Sequence, residues 1–135
     1  MQHTVYLGLG SNIGDRQQYI DLAVSNINRL FGDVVRQSAC YQTEPWGFES
    51  DNAFLNAVVM VKTECSPREV LRWTQYIERL LGRREKSKDG IYHDRTIDID
   101  ILLYDDLTIN EPDLVIPHPL MYDRDFVMTP LREIL

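Results

Sequence analysis

The sequence predicts an α+β sandwich with an antiparallel sheet. Three observations carry this. Two segments have apolar residues at helical spacing, four others are rich in β-branched and aromatic residues, and cap or turn residues separate them. Their order is strand, helix, strand, strand, helix, strand. That is βαββαβ, a split βαβ or ferredoxin-like arrangement, to which the tail adds a hairpin and a short helix.

The first strand is expected over His3 to Leu9, with Val5, Leu7 and Leu9 on one face. Gly8, Gly10 and Gly14 bracket Ser11-Asn12. A helix is then expected from about Asp15, with Ile20, Ala23, Val24, Ile27, Leu30 and Phe31 at helical spacing and Gly32 as its stop. Val34 to Gln42 and Phe54 to Thr63 read as strands joined by a loop, Thr43 to Asn52. The second helix opens on Ser66 as N-cap, Pro67 in its first position and Glu69 closing a capping box. Val70, Trp73, Ile77, Leu80 and Leu81 form its expected core stripe, and Gly82 ends it. A polar loop, Arg83 to Asp94, leads into a strand from Arg95 to Tyr104. Leu107 to Ile109 is expected to turn back after Asp105-Asp106. Pro117, Pro119 and Pro130 make the tail irregular apart from a helix near Phe126 to Ile134.

A length of 135 residues suits one domain with one core, so residues 1–135 are expected to form one unit. The apolar share of 44% and charged share of 26% are ordinary for a soluble globular chain. No apolar run approaches the ~18 residues of a membrane span. Met1-Gln2-His3-Thr4 lacks the basic-then-apolar pattern of a signal peptide, so a cytoplasmic location is expected. A net charge of −7 argues against nucleic acid as partner, because phosphates call for a broad basic surface. Cys40 and Cys65 have no metal-binding or redox spacing and read as small core residues. A monomer is compatible with all of this.

The chemistry-bearing stretch is Thr96-Ile97-Asp98-Ile99-Asp100-Ile101-Leu102-Leu103-Tyr104. Strand alternation puts Asp98 and Asp100 on one face, with Leu102 and Tyr104 further along it. Ile97, Ile99, Ile101 and Leu103 take the other. Two close carboxylates repel unless a cation offsets them. Mg²⁺ is commonly held by one or two carboxylates plus substrate phosphates. By pattern alone a pair of solvated aspartates remains an equal reading. Arg83, Arg84, Lys86, Lys88 and Arg95 shift the balance, since a basic loop beside an acidic pair supplies the parts of phosphoryl transfer.

Gly8-Leu9-Gly10-Ser11-Asn12-Ile13-Gly14 is not a dinucleotide fingerprint, for its third glycine comes one position late, and no GxxxxGK[ST] exists. His3 reads as a surface residue and His93 as a loop residue. Two rivals share the fold: a small-molecule-binding regulatory domain, and an inactive ATP-binding relative.

Asp94-Arg95-Thr96-Ile97-Asp98-Ile99-Asp100-Ile101-Leu102 is similar to the signature of the 6-hydroxymethyl-7,8-dihydropterin pyrophosphokinases of folate biosynthesis. Gly10-Ser11-Asn12, Tyr41 to Gly47, Phe54-Leu55-Asn56-Ala57, Gln75-Tyr76-Ile77-Glu78 and Ile116-Pro117-His118-Pro119 match that family in order, and the resemblance runs from Tyr6 to Leu135. Glu44 departs from a frequent proline, and His93-Asp94 from the usual Gly-Pro.

The resemblance implies transfer of diphosphate from Mg·ATP to the hydroxymethyl group of the pterin, with AMP leaving. Asp98 and Asp100 would bind two Mg²⁺ ions, and Arg83 and Arg95 would meet the phosphates, giving a catalytic set of Arg83, Arg95, Asp98 and Asp100. The pterin would be held by Thr43, Pro45 and Trp46 through backbone groups, by the Asn56 carboxamide, and between the rings of Phe54 and Phe126. Without the family, Phe54 reads as a core strand residue and Phe126 as a buried helix residue. ATP would be met by Gln75, Glu78, Arg83, Tyr92, Arg95, Ile101, His118 and Arg124. No strong general base is implied.

Overall fold

Alternating apolar residues and well-marked helix caps produce eleven elements in the computed structural model, which describes residues 1–43, 53–82 and 96–135. They are β1 (His3–Ser11), α1 (Arg16–Leu30), β2 (Gly32–Gln37), β3 (Tyr41–Thr43), β4 (Phe54–Thr63), α2 (Pro67–Leu80), β5 (Asp98–Tyr104), β6 (Ile109–Glu111), β7 (Leu114–Ile116), a 3-10 turn at Met121–Asp123, and α3 (Asp125–Ile134). The main sheet runs β2-β4-β1-β5, all antiparallel, with β3 continuing beside β4. The expected ferredoxin-like order is therefore present. β6 and β7 form a separate hairpin.

The two faces of the sheet bury different layers. Val5, Leu7 and Leu9 of β1 meet Ile20, Ala23 and Ile27 of α1 and Val70 and Ile77 of α2. On the other face Val58 and Leu102 pack against Met121, Val127, Leu131 and Ile134, so α3 closes a third layer. Each such side chain contributes about 1.5–3 kcal/mol by leaving water. Asp15 caps α1 by accepting from the Gln18 amide at 3.1 Å. Ser66 and Glu69 form the expected capping box of α2.

Several local expectations are corrected. The stretch from Val34 to Gln42 is two strands, because Ser38 interrupts it. The Ser38 amide donates to the Val58 carbonyl, and its hydroxyl accepts from the Val58 amide, both at 2.9 Å. A side-chain oxygen thus stands in for a ladder carbonyl while the chain changes course. Gly32 begins β2 rather than stopping α1, whose C-cap is Phe31. A Cβ at Gly32 would lie 2.6 Å from Val61 Cγ1 and 2.8 Å from the Lys62 carbonyl oxygen. Close approach to β4, not helix termination, selects glycine there.

On α2, Leu80 is 49% exposed, and Thr74 and Glu78 occupy the inner face instead. Trp73 is half-buried and stacks on Phe31 with ring centroids 6.5 Å apart. A bulge in β5 changes its parity, since Tyr6 pairs with Leu103 but Leu7 with Ile101. Leu102 and Leu103 consequently both pack with the α3 layer, and Tyr104 turns to the α1–α2 core, where its hydroxyl donates to the Cys65 carbonyl at 2.6 Å. The expected return strand at Leu107 starts at Ile109. His3 is not a bare surface residue: its Nδ1 lies 2.7 Å from the Asp105 carboxylate. Cys40 and Cys65 are free thiols packed against the main core. Among the described residues, no helix is long and apolar enough to cross a membrane.

Gly32→Ala should destabilise the fold by about 1–3 kcal/mol, because a backbone carbonyl cannot yield as a side chain can. Urea denaturation should show a lower midpoint at unchanged slope, and an unchanged midpoint would refute the close-approach account.

Candidate active site

β1 has one apolar face and one that is bare at its glycine end. Leu7 and Leu9 point into the α1–α2 core, so Gly8 and Gly10 lie on the opposite face. The register sets Gly10 opposite Asp98 and Gly8 opposite Asp100 on β5. The two carboxylates therefore flank a strand that carries no side chain at those positions. On its other side Gly10 pairs with Asn56 of β4. Asn56, Gly10 and Asp98 form one rung across three strands, which sets the Asn56 and Asp98 backbones roughly 10 Å apart.

The far end of this rung is crowded with hydrogen-bonding and aromatic groups. The Asn56 amide nitrogen donates to the Thr43 hydroxyl at 2.8 Å. A Cβ on Gly10 would come 3.1 Å from Asn56 Oδ1 and 3.5 Å from the Phe54 ring. Glycine at that position lets Asn56 and Phe54 close in. Phe126 packs at the edge of the α3 layer, on the same side of the sheet.

The Asp98 end opens into a cavity of about 480 Å³ around the free edge of β5. α2 supplies Gln75 and Glu78 on one side, and the β6–β7 hairpin, His118 and Arg124 enclose the other. Glu78 is only 6% exposed, and its Oε2 accepts from the Ile99 amide at 2.8 Å. The His118 amide donates to the Leu102 carbonyl at 3.1 Å. Between these two contacts Ile101 turns its side chain into the core, leaving its backbone as the part that can face the cavity.

Charge is concentrated at this edge. His118 Nε2 lies 4.0 Å from Asp100 Oδ1, and the Leu120 amide donates to His118 Nδ1 at 3.4 Å. With Nδ1 accepting, the neutral ring carries its proton on the nitrogen facing Asp100. Burial pushes the His118 pKa below its ordinary value and the Arg124 guanidinium adds to that, outweighing the opposite pull of Asp98. Arg124 is 8% exposed, with its guanidinium 5.6 Å from the centroid of the Phe126 ring. Among the described residues no group of three or more His, Cys, Asp or Glu side chains forms a ready-made metal cage. A pair of carboxylates beside open space is instead the donor set that suits a hard cation arriving with phosphates.

Gln75, Glu78, Asp98, Asp100, Ile101, His118 and Arg124 thus line one cavity, while Thr43, Phe54 and Asn56 gather at the neighbouring strand ends. Pro45, Trp46, Arg83, Tyr92 and Arg95 lie outside the described residues. Sequence reasoning placed Gly8 in the first strand and Gly10 just after it, and missed that both stand opposite the two aspartates. Alternation of glycine with leucine in Leu7-Gly8-Leu9-Gly10 was the available signal. It also missed the hairpin residues Pro112 to Val115, which wall the cavity and have no sequence pattern of their own.

Known proteins resemble this chain in sequence and in fold. The family described as 7,8-dihydro-6-hydroxymethylpterin-pyrophosphokinase (HPPK) matches residues 6–135. A 2-amino-4-hydroxy-6-hydroxymethyldihydropteridine pyrophosphokinase of Porphyromonas gingivalis is 50% identical over 131 residues, which is 96% of this chain and 89% of that one. The enzyme of that name from Bacillus subtilis is 43% identical over 135 residues, covering 99% of this chain and 79% of its own. A crystal structure of Plasmodium falciparum HPPK-DHPS matches with a TM-score of 0.81 at 18% identity, over 99% of this chain and 42% of that one, a likeness of fold. The chain belongs to the 7,8-dihydro-6-hydroxymethylpterin-pyrophosphokinase family.

Proposed function

We propose that this pyrophosphokinase carries out its diphosphate transfer along the rung Asn56-Gly10-Asp98, with ATP at the β5 edge and the pterin at the β3–β4 end. The reaction takes diphosphate from ATP to the hydroxymethyl group of 6-hydroxymethyl-7,8-dihydropterin in folate biosynthesis and releases AMP. The observation that carries the residue assignment is the register of Asp98 and Asp100 against Gly10 and Gly8. It leaves room beside two oxygen donors for a metal-bound triphosphate.

On this reading Asp98 and Asp100 would hold two Mg²⁺ ions beside the nucleotide phosphates. When bound, the ions neutralise charge on the phosphate oxygens and orient the chain for in-line displacement. The chain's own groups do the rest. Gln75, Tyr92, the Ile101 backbone, His118 and Arg124 bind the nucleotide, and Arg83 and Arg95 meet the phosphates as negative charge spreads over them. Thr43, Pro45 and Trp46 present polar backbone groups to the pterin edge. Asn56 offers both a donor and an acceptor, and Phe54 and Phe126 offer faces for a flat ring. The hydroxymethyl oxygen attacks the β-phosphorus, and the α-phosphate leaves as AMP. His118 is no base in this arrangement, because its Nε2 already carries a proton. Residues 1–135 act as one domain.

Glu78 takes a different part from the one its motif implies. Its carboxylate is engaged by the Ile99 amide, so its service to the nucleotide is to hold the β5 edge.

AMP should form only when Mg·ATP and the hydroxymethyl dihydropterin are both present. ADP as product would overturn the assignment, as would AMP release with the pterin omitted. Asp98→Asn and Asp100→Asn should each lower kcat by about 10²-fold or more at unchanged thermal stability. A near-normal rate in either variant removes that residue from the site. Glu78→Gln, which keeps an acceptor for Ile99, should retain stability and nucleotide KM, whereas Glu78→Ala should cost about 1–3 kcal/mol in urea denaturation. A Glu78→Gln enzyme with normal stability but a much raised KM for ATP would make the carboxylate a direct nucleotide contact instead.

A further inference from the structure

Arg16 makes its side-chain bonds outside its own helix. It is the first residue of α1, directly after the N-cap Asp15. Its guanidinium looks away from the helix. One terminal nitrogen donates to the Ala53 carbonyl at 2.8 Å, and the other donates to the Gln42 side-chain oxygen at 2.9 Å. The first bond is partly buried. Two well-made long-range bonds from the first side chain of a helix call for a tertiary explanation.

The two acceptors stand at telling positions. Gln42 lies in β3 between Tyr41 and Thr43, and Ala53 immediately precedes Phe54 at the start of β4. β3 and β4 pair with Thr43 opposite Phe54 and Tyr41 opposite Asn56. Arg16 therefore ties together the ends of two strands that carry Thr43, Phe54 and Asn56. β3 has only three residues, and its far side is closed by the Ser38 interruption. A strand so short has few ladder bonds with which to hold its own register. The planar fork of arginine can meet two acceptors at a fixed separation, which a lysine cannot.

We infer that Arg16 is a positioning residue for the pterin substrate, clamping β3 to β4 so that Thr43, Asn56 and Phe54 keep their mutual spacing. The inference rests on the proposed assignment of those three residues to the pterin. Arg16 touches neither Asp98 nor the cavity at the β5 edge, so its effect falls on one substrate and leaves the other.

The test is equilibrium titration of 6-hydroxymethyl-7,8-dihydropterin into the full chain with Mg²⁺ and a non-hydrolysable ATP analogue, paired with steady-state kinetics. Arg16→Met keeps the aliphatic stem and removes the fork. It should weaken pterin binding and raise pterin KM by about tenfold, while ATP KM stays within about twofold. Arg16→Lys should recover part of the loss. Gln42→Ala should weaken pterin binding on its own and add little in the Arg16→Met background, because the two share one interaction. Unchanged pterin affinity in Arg16→Met would overturn the inference alone. Equal losses for pterin and nucleotide, with a lowered melting temperature, would also overturn it by making the clamp merely structural. A wild-type chain that binds nucleotide but no pterin would sink the underlying site assignment, and this inference with it.

Discussion

The pairing register of β1 between β4 and β5 is the constraint on which the rest of the molecule depends. Leu9 stands opposite both Ala57 and Ile99, so Val5, Leu7 and Leu9 face α1 and α2 together with the apolar residues of their neighbours. A slip by one residue would turn all three leucine and valine side chains to the other face and bring Gly8 and Gly10 into the core. With about 1.5–3 kcal/mol at stake for each large side chain, such a slip would cost a large fraction of a domain's net stability. Burial on one face of the strand thereby fixes what is absent on the other. The gap beside Asp98 and Asp100 is held open by the packing of Leu7 and Leu9.

β5 is an edge strand, and the treatment of its edge links fold to function. An open edge displays unpaired backbone groups and invites pairing with another chain. Here the Glu78 carboxylate takes the Ile99 amide and the His118 amide takes the Leu102 carbonyl. Between those two covers the Ile101 backbone borders a cavity rather than another strand. The bulge after Ile101 sends Leu103 to the α3 layer and Tyr104 to the main core, anchoring the end of β5 on both faces. The strand that bears the two aspartates is consequently fixed at one end and accessible at the other.

Much of this was legible in the residues. The order of strands and helices, the Ser66–Glu69 capping box and the C-terminal helix follow from local chemistry, and the structure has them. The shared face of Asp98 and Asp100 follows from strand alternation. What alternation could not foresee is the bulge, because parity changes only when a partner strand supplies the register. For the same reason Gly32 was read as a helix stop and the part of Gly10 was missed. Glycine in a turn and glycine under a neighbouring strand look alike until Val61, Lys62 or Asn56 is brought alongside. Glu78 was legible as a motif residue but not as the partner of Ile99, a contact between residues that only the fold makes neighbours. The part of Arg16 needed Gln42 and Ala53 in view, since both acceptors are distant in sequence.

Metal stoichiometry is the most direct test of the claim that the carboxylate pair over the glycine gap receives a metal-bound triphosphate. Mn²⁺, which takes oxygen ligands in the same geometry as Mg²⁺, can be counted by electron paramagnetic resonance in the presence of a non-hydrolysable ATP analogue. The account predicts two ions per chain with the analogue present, and loss of tight binding in the Asp98→Asn, Asp100→Asn double variant even though that chain remains folded. Two tightly held ions in the double variant would contradict it, since the metal would then owe nothing to the acidic strand.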